Sequence, residues 1–89
     1  METFYFKRLW EETTGDPLTD SWGTSTFFFE TNQYGDVLRQ IQLYENGKKL
    51  RYDEQNLEDP FGKLSEFSLD LIEFNEFKIS KDEFEKVWI

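Results

Sequence analysis

Nineteen acidic residues and no histidine or cysteine define the chemistry open to this 89-residue chain. Without histidine it lacks the usual neutral-pH general base and the commonest metal ligand. Without cysteine it has no thiolate nucleophile, thiolate metal site or disulfide. Its five glycines are isolated, and none opens a phosphate-cradling loop. Carboxylates remain, in two clusters. Glu11, Glu12, Asp16 and Asp20 flank Trp10 and Trp22, a grouping that could serve acid–base work on a sugar. A catalytic carboxylate pair needs a cleft, which a chain this small seldom provides. The favoured reading therefore puts Trp10 in the core and these acids in a solvated loop. Asp53, Glu54, Glu58 and Asp59 form the second cluster. They lack the alternating acid/Asn spacing and central glycine of an EF-hand calcium loop. No catalytic residue, metal or cofactor is assigned, and the expectation is a non-enzymatic binding protein.

The charge balance says what such a protein would bind. Net charge is −9, and it is uneven: residues 53–89 carry eleven acids against four bases, residues 1–52 eight against six. This field repels nucleic-acid phosphates and anionic lipid and attracts basic proteins. Asp53, Glu54, Glu58 and Asp59 are the first choice of partner-binding residues. The competing explanation is that the acidity only keeps a small protein soluble. An alternative binding face is the strand parity carrying Tyr5, Phe28, Tyr44 and Arg51, with Lys7, Leu9 and Lys49 alongside. Aromatic and basic residues alternating on a sheet resemble single-strand nucleic-acid platforms, but the net charge opposes that use.

The elements that must position these residues are those of one domain over residues 1–89. A chain this long buries roughly 60–65% of the surface of its unfolded form, enough for a single modest core. Ten Phe, four Tyr and three Trp supply much of that core. The first residues show no basic leader before an apolar run, and no window has the roughly 18 apolar residues of a membrane span, so a cytoplasmic protein is expected. Thr3 to Trp10 reads as a strand, Thr13 to Gly23 as a loop, and Thr24 to Thr31 as a second strand. Gly35 suits the left-handed position of a three-residue hairpin loop with a bulge, setting Thr31 opposite Val37 and Phe27 opposite Ile41. Asn46-Gly47 reads as a two-residue turn, with Glu45 and Lys48 closing it, Leu43 facing Leu50 and Ile41 facing Tyr52. Together the hairpins predict one apolar face of Phe27, Phe29, Val37, Ile41, Leu43, Leu50 and Tyr52.

Asp53 to Gly62 reads as a loop. Leu64 to Leu71 suggests one or two helical turns with Leu64, Phe67 and Leu71 on one side, and Glu73 to Lys78 an irregular or briefly extended stretch. Ser80-Lys81-Asp82-Glu83 is a capping box, Ile79 and Phe84 a hydrophobic staple, and Phe84, Val87 and Trp88 a helical stripe that must dock on the sheet. Arg8 shares parity with Phe4, Phe6 and Trp10, so it needs a partner on the core side: a carboxylate, or carbonyls of the Glu73–Lys78 segment. The fold expected is α+β: an antiparallel sheet of four or more strands with a short C-terminal helix packed on one face.

Several of these pieces occur together in a known pattern. Phe6-Lys7-Arg8-Leu9-Trp10, Asp16-Pro17, Leu38-Arg39-Gln40-Ile41 with Tyr44 and Asn46-Gly47, and Glu76-Phe77-Lys78-Ile79-Ser80 through Phe84 and Trp88 resemble a family of small uncharacterised bacterial proteins, domain of unknown function 6881. The resemblance spans nearly the whole chain. Family members often carry a histidine just after the first Trp, whereas Glu11 and Glu12 follow it here, so no role for that histidine carries over. The resemblance implies no established activity or site. Small acidic proteins of this kind are similar in size and charge to the immunity proteins of bacterial toxin systems, an analogy that makes an immunity-type inhibitor the leading expectation.

Overall fold

The computed structural model describes residues 2–11 and 20–89. Glu12 and Asp16, and most of the loop read over 13–23, lie outside the described residues. Four strands run in sequence as an antiparallel meander: β1 (Thr3–Trp10), β2 (Ser25–Asn32), β3 (Val37–Tyr44) and β4 (Lys49–Tyr52). Two tiny strands, β5 (Glu58–Asp59) and β6 (Gly62–Lys63), pair with each other. The last, β7 (Lys78–Ile79), returns to pair with Tyr5 and Phe6 of β1, giving a five-stranded sheet ordered β4-β3-β2-β1-β7. Helix α1 (Lys81–Trp88) covers one face, and residues 53–77 cross the other as an irregular strap. The expected α+β architecture is present.

The two hairpins explain the register. Gly35 adopts φ +87° and closes a three-residue loop, its N–H donating to the Asn32 carbonyl at 3.1 Å. Thr31 then faces Val37, as expected, but a bulge at Leu38 shifts the ladder by one, so Glu30 faces Arg39 and Phe28 faces Ile41. The second turn departs from expectation. The favoured two-residue turns require positive φ at their first central residue, here Asn46; only Gly47 has it, at +88°. Tyr44 and Lys48 close a three-residue loop instead, and Leu50 pairs with Gln42 and Tyr52 with Gln40. Glu45 turns away from Lys48 and accepts from the Thr24 main-chain N–H at 2.8 Å.

These shifts divide the predicted single apolar face between two. Phe28, Ile41 and Tyr5 lie under α1 with Phe84, and Leu43, Ile79, Val87 and Trp88 pack around them. Leu50, Tyr52 and Tyr44 face the strap and pack against Trp22 and Leu64. Phe6 and Phe29 meet Phe74 of the strap edge-on at 5.9 and 6.1 Å. With both faces covered, either register buries apolar side chains, so alternation alone could not choose between them.

Helix α1 starts as expected: the Ser80 hydroxyl accepts from the Glu83 N–H at 3.1 Å. Its far end is held by β4. Lys49 donates to the main-chain oxygens of Val87 and Ile89 at 2.8 and 2.7 Å, and Arg51 to that of Trp88 at 2.8 Å. These cations satisfy carbonyls that no helical N–H can reach, and they complement the negative end of the helix dipole. Between the ends, Arg39 forms a two-pronged pair with Glu30, both bonds 2.8 Å, and also donates to Glu85. Its guanidinium lies 4.9 Å from the ring centres of both Phe84 and Trp88.

Two stability measurements check this. Arg39 holds the Glu30 carboxyl below the usual carboxylate range. Its contribution to stability is therefore full above the ordinary carboxylate pKa and is lost as pH falls through the lowered one. Urea midpoints of Glu30→Gln should be lower than wild type at pH 7, and should fall less steeply between pH 5 and pH 3. At Gly35 a Cβ would meet the Leu69 carbonyl oxygen at 2.2 Å, whereas at Gly47 it would meet open space. Both positions have positive φ, so Gly47→Ala should cost about 1 kcal/mol and Gly35→Ala distinctly more, about 3 kcal/mol or above.

Candidate interaction surface

The acids proposed for binding sit on the strap, and the strap owes its path to polar anchors rather than to periodic apolar residues. Tyr52, fully buried in β4, donates its hydroxyl to Asp59 Oδ1 at 2.8 Å. The same oxygen accepts from the Phe61 and Gly62 N–H groups at 2.9 and 3.1 Å. Burial first, then the adjacent Asp59 carboxylate, pushes the Tyr52 phenol well above its ordinary pKa. Gly62 fits because a Cβ there would press on the Tyr52 hydroxyl at 3.0 Å. Next along, Gln40 of β3 is buried and uses both ends of its amide: it donates to the Lys63 carbonyl at 3.2 Å and accepts from the Ser65 N–H at 2.9 Å. A buried amide so satisfied costs little and fixes the strap against the sheet. No helix forms over 64–71. That stretch is irregular, and the 3₁₀ turn Glu73–Phe77 follows it.

The four predicted residues therefore divide. Asp53 accepts from the N–H groups of Gln55 and Asn56, both at 2.9 Å, and shapes the turn that leaves β4. Asp59 is the anchor just described. Glu54 and Glu58 are exposed. Fold and surface are thus mixed in a cluster that its sequence marks only by density of charge.

The four alternative residues do not form one exposed face. Tyr5 and Phe28 are buried beneath α1, and Tyr44 is buried on the opposite side, edge-on to Trp22 at 5.1 Å. Of the four, only Arg51 is exposed, and it lies 6.0 Å above the Trp88 ring while capping the helix. The expected aromatic platform became core because α1 covers one side and the strap the other.

Around Trp10 the expectation reverses. Trp10 is 43% exposed at the end of β1, edge-on to Phe27 at 6.3 Å, and is not core. Arg8 finds its partners in the expected segment, but they are ring faces: its guanidinium lies 5.1 Å from the centres of both Phe74 and Phe77 and 5.8 Å from Trp10. Arg8, Trp10, Phe27, Phe29 and Phe74 line an apolar cleft of about 160 Å³. A larger groove of mixed lining, about 470 Å³, opens where β3 outruns β4, between Leu38 and Arg39 on the sheet and Glu54, Gln55 and Leu57 on the strap. Among the described residues, no group of three or more acids is placed to hold a metal ion. No described helix is long and apolar enough to cross a membrane.

No protein-family model, curated protein or solved structure matches the chain. The leading feature of the described surface is its distribution of charge. Residues 53–77 contain eight acids and one base, Lys63. Glu54, Glu58, Glu66, Asp70, Glu73 and Glu76 are all exposed. On the helix side Lys7, Arg39, Lys49 and Arg51 are engaged with carboxylates, rings or helix carbonyls, and α1 itself adds the exposed Lys81 and Lys86. Sequence reasoning found the acidic half but missed Gln40 and the Glu30–Arg39 pair. The pair becomes visible only once the Leu38 bulge sets the two side by side.

Within the acid cluster the two roles can be separated. Asp59→Asn should lower stability by about 1–2 kcal/mol, through loss of charge-assisted bonds to Tyr52 and two N–H groups. Glu54→Lys and Glu58→Lys should stay within about 0.5 kcal/mol of wild type. Thermal melting of the three variants checks both.

Proposed function

We propose that this chain is a non-enzymatic, cytoplasmic binding protein that uses its acidic strap against a basic protein, as an immunity-type inhibitor of a bacterial toxin. The observation that carries this reading is the segregation of charge. The charges of the strap are almost purely acidic and mostly solvent-exposed, while Arg39, Lys49 and Arg51 on the helix face are engaged within the fold and α1 adds the exposed Lys81 and Lys86 beside its own acids. Such a face raises the encounter rate with a positively charged surface, for instance the substrate groove of a nuclease toxin, and disfavours nucleic acid itself. The analogy in size and charge to immunity proteins supports the same reading. A second reading, an adaptor or ligand-binding domain whose acidity serves only solubility, draws support from Asp53 and Asp59, whose carboxylates are engaged in holding the strap.

The two readings differ in kinetics. Affinity capture from the native host, followed by identification of the captured protein, supplies the partner. Its association rate should fall about tenfold or more between low and physiological ionic strength, and fall again for a Glu54→Lys/Glu58→Lys variant. A rate indifferent to salt would assign the acidity to solubility.

A further inference from the structure

Two segments far apart in sequence bring exposed apolar side chains to one end of the sheet. Tyr34 stands at the tip of the β2–β3 loop, 72% exposed; Phe67 and Ile72 stand on the strap, 82% and 90% exposed. The strap is fastened to that loop at the residues between them. Leu69 donates its N–H to the Gly35 carbonyl at 2.8 Å, and the Ser68 hydroxyl donates to Asp36. The close approach of Leu69 to Gly35 leaves no room for a side chain at residue 35.

The main chain at each exposed residue is pinned. The Tyr34 N–H donates to Asn32 Oδ1 at 2.9 Å. Ser65 accepts from the Phe67 N–H at 3.3 Å and donates to its carbonyl at 3.1 Å. Asp70 accepts from the Ile72 and Glu73 N–H groups at 3.0 and 3.2 Å, and two residues beyond Ile72 the ring of Phe74 is locked against Phe6 and Phe29. Large side chains in water on a fixed backbone are what an interface anchor requires, because little backbone freedom remains to be lost on binding. Carboxylates surround them: Glu66, Asp70, Glu73 and Glu76 are exposed, and Lys63 is the only cation within the strap.

We infer that Tyr34, Phe67 and Ile72 are the apolar anchors of the docking surface, and that they insert into an apolar recess rimmed by Lys and Arg on the partner. This rests on the binding reading above, and it moves the centre of contact from Asp53–Asp59 to the loop–strap junction. The charge around the anchors selects the occupant: an acidic or neutral surface would leave those carboxylates unpaired at the rim.

A randomised peptide library selected against the full chain, with counter-selection against a Tyr34→Ser/Phe67→Ser/Ile72→Ser variant, tests the assignment. Enriched peptides should carry Lys or Arg flanking an aromatic or aliphatic residue. By fluorescence anisotropy they should bind Phe67→Ser and Ile72→Ser roughly tenfold or more weakly and weaken as salt rises, with the melting temperature of the variants unchanged. Basic peptides that bind the triple variant as well as wild type, but lose affinity for Glu54→Lys/Glu58→Lys, would overturn this surface and leave the binding reading standing. Enrichment of peptides without basic residues, bound independently of salt, would overturn both. Failure to enrich any peptide over the triple variant would overturn the anchors.

Discussion

The pairing of Arg39 with Glu30 is the interaction on which the rest of this fold turns. It exists because a single bulged residue, Leu38, sets the two side chains opposite each other on neighbouring strands. From that position the guanidinium can do three things at once: satisfy a carboxylate with two bonds, reach Glu85 on the helix, and lie against Phe84 and Trp88. Only arginine has the flat, forked geometry for all three, since lysine would offer a point charge with neither the fork nor the stacking plane. The helix is short, and a segment of its length does not hold together alone in water. It persists because Arg39 grips its middle, Lys49 and Arg51 its end, and Phe84 fills the space over Tyr5, Phe28 and Ile41.

That arrangement bears on the charge of the molecule. The cations of the sheet are committed to carbonyls, carboxylates and ring faces, while the strap carries acids with few cations of its own. A net charge of −9 is therefore a directional field more than a uniform one. It points outward from the face that α1 does not cover.

Two local signals translated into structure, whereas the local Asn46-Gly47 turn signal and the signals that rely on one face being wet did not. The capping bond from Ser80 and the left-handed Gly35 depend on a few neighbouring residues, and both are present. The β3–β4 register depends on which side of the sheet is dry. Here both are, so Leu50 and Tyr52 found their own cover in Trp22 and Leu64 and did not need to share a face with Ile41. The strap was illegible for a different reason. Its anchors carry no period: Gln40 and Gly35 act over long separations, and Asp59 ties the strap back to Tyr52 through a side-chain bond. Phe67, assigned to a helical stripe with Leu64 and Leu71, stands instead in solvent. The acidic half was legible as composition. Which carboxylates turn inward to hold N–H groups and which face water could not be read from composition.

Strand β7 and helix α1 come late in the chain, and β7 completes the sheet against β1, near the opposite end. During synthesis the meander β1–β4 emerges first, with Tyr5, Phe28 and Ile41 bare on one side. Closure over them waits until Phe84 has left the ribosome. Contacts with so large a sequence separation carry a substantial loop-closure cost before they return any stability, so they form slowly. The outer edge of β1 carries Lys7 and Arg8 beyond the short stretch that β7 pairs, and charged residues on an exposed strand edge discourage other nascent chains from adding to it before the native strand arrives.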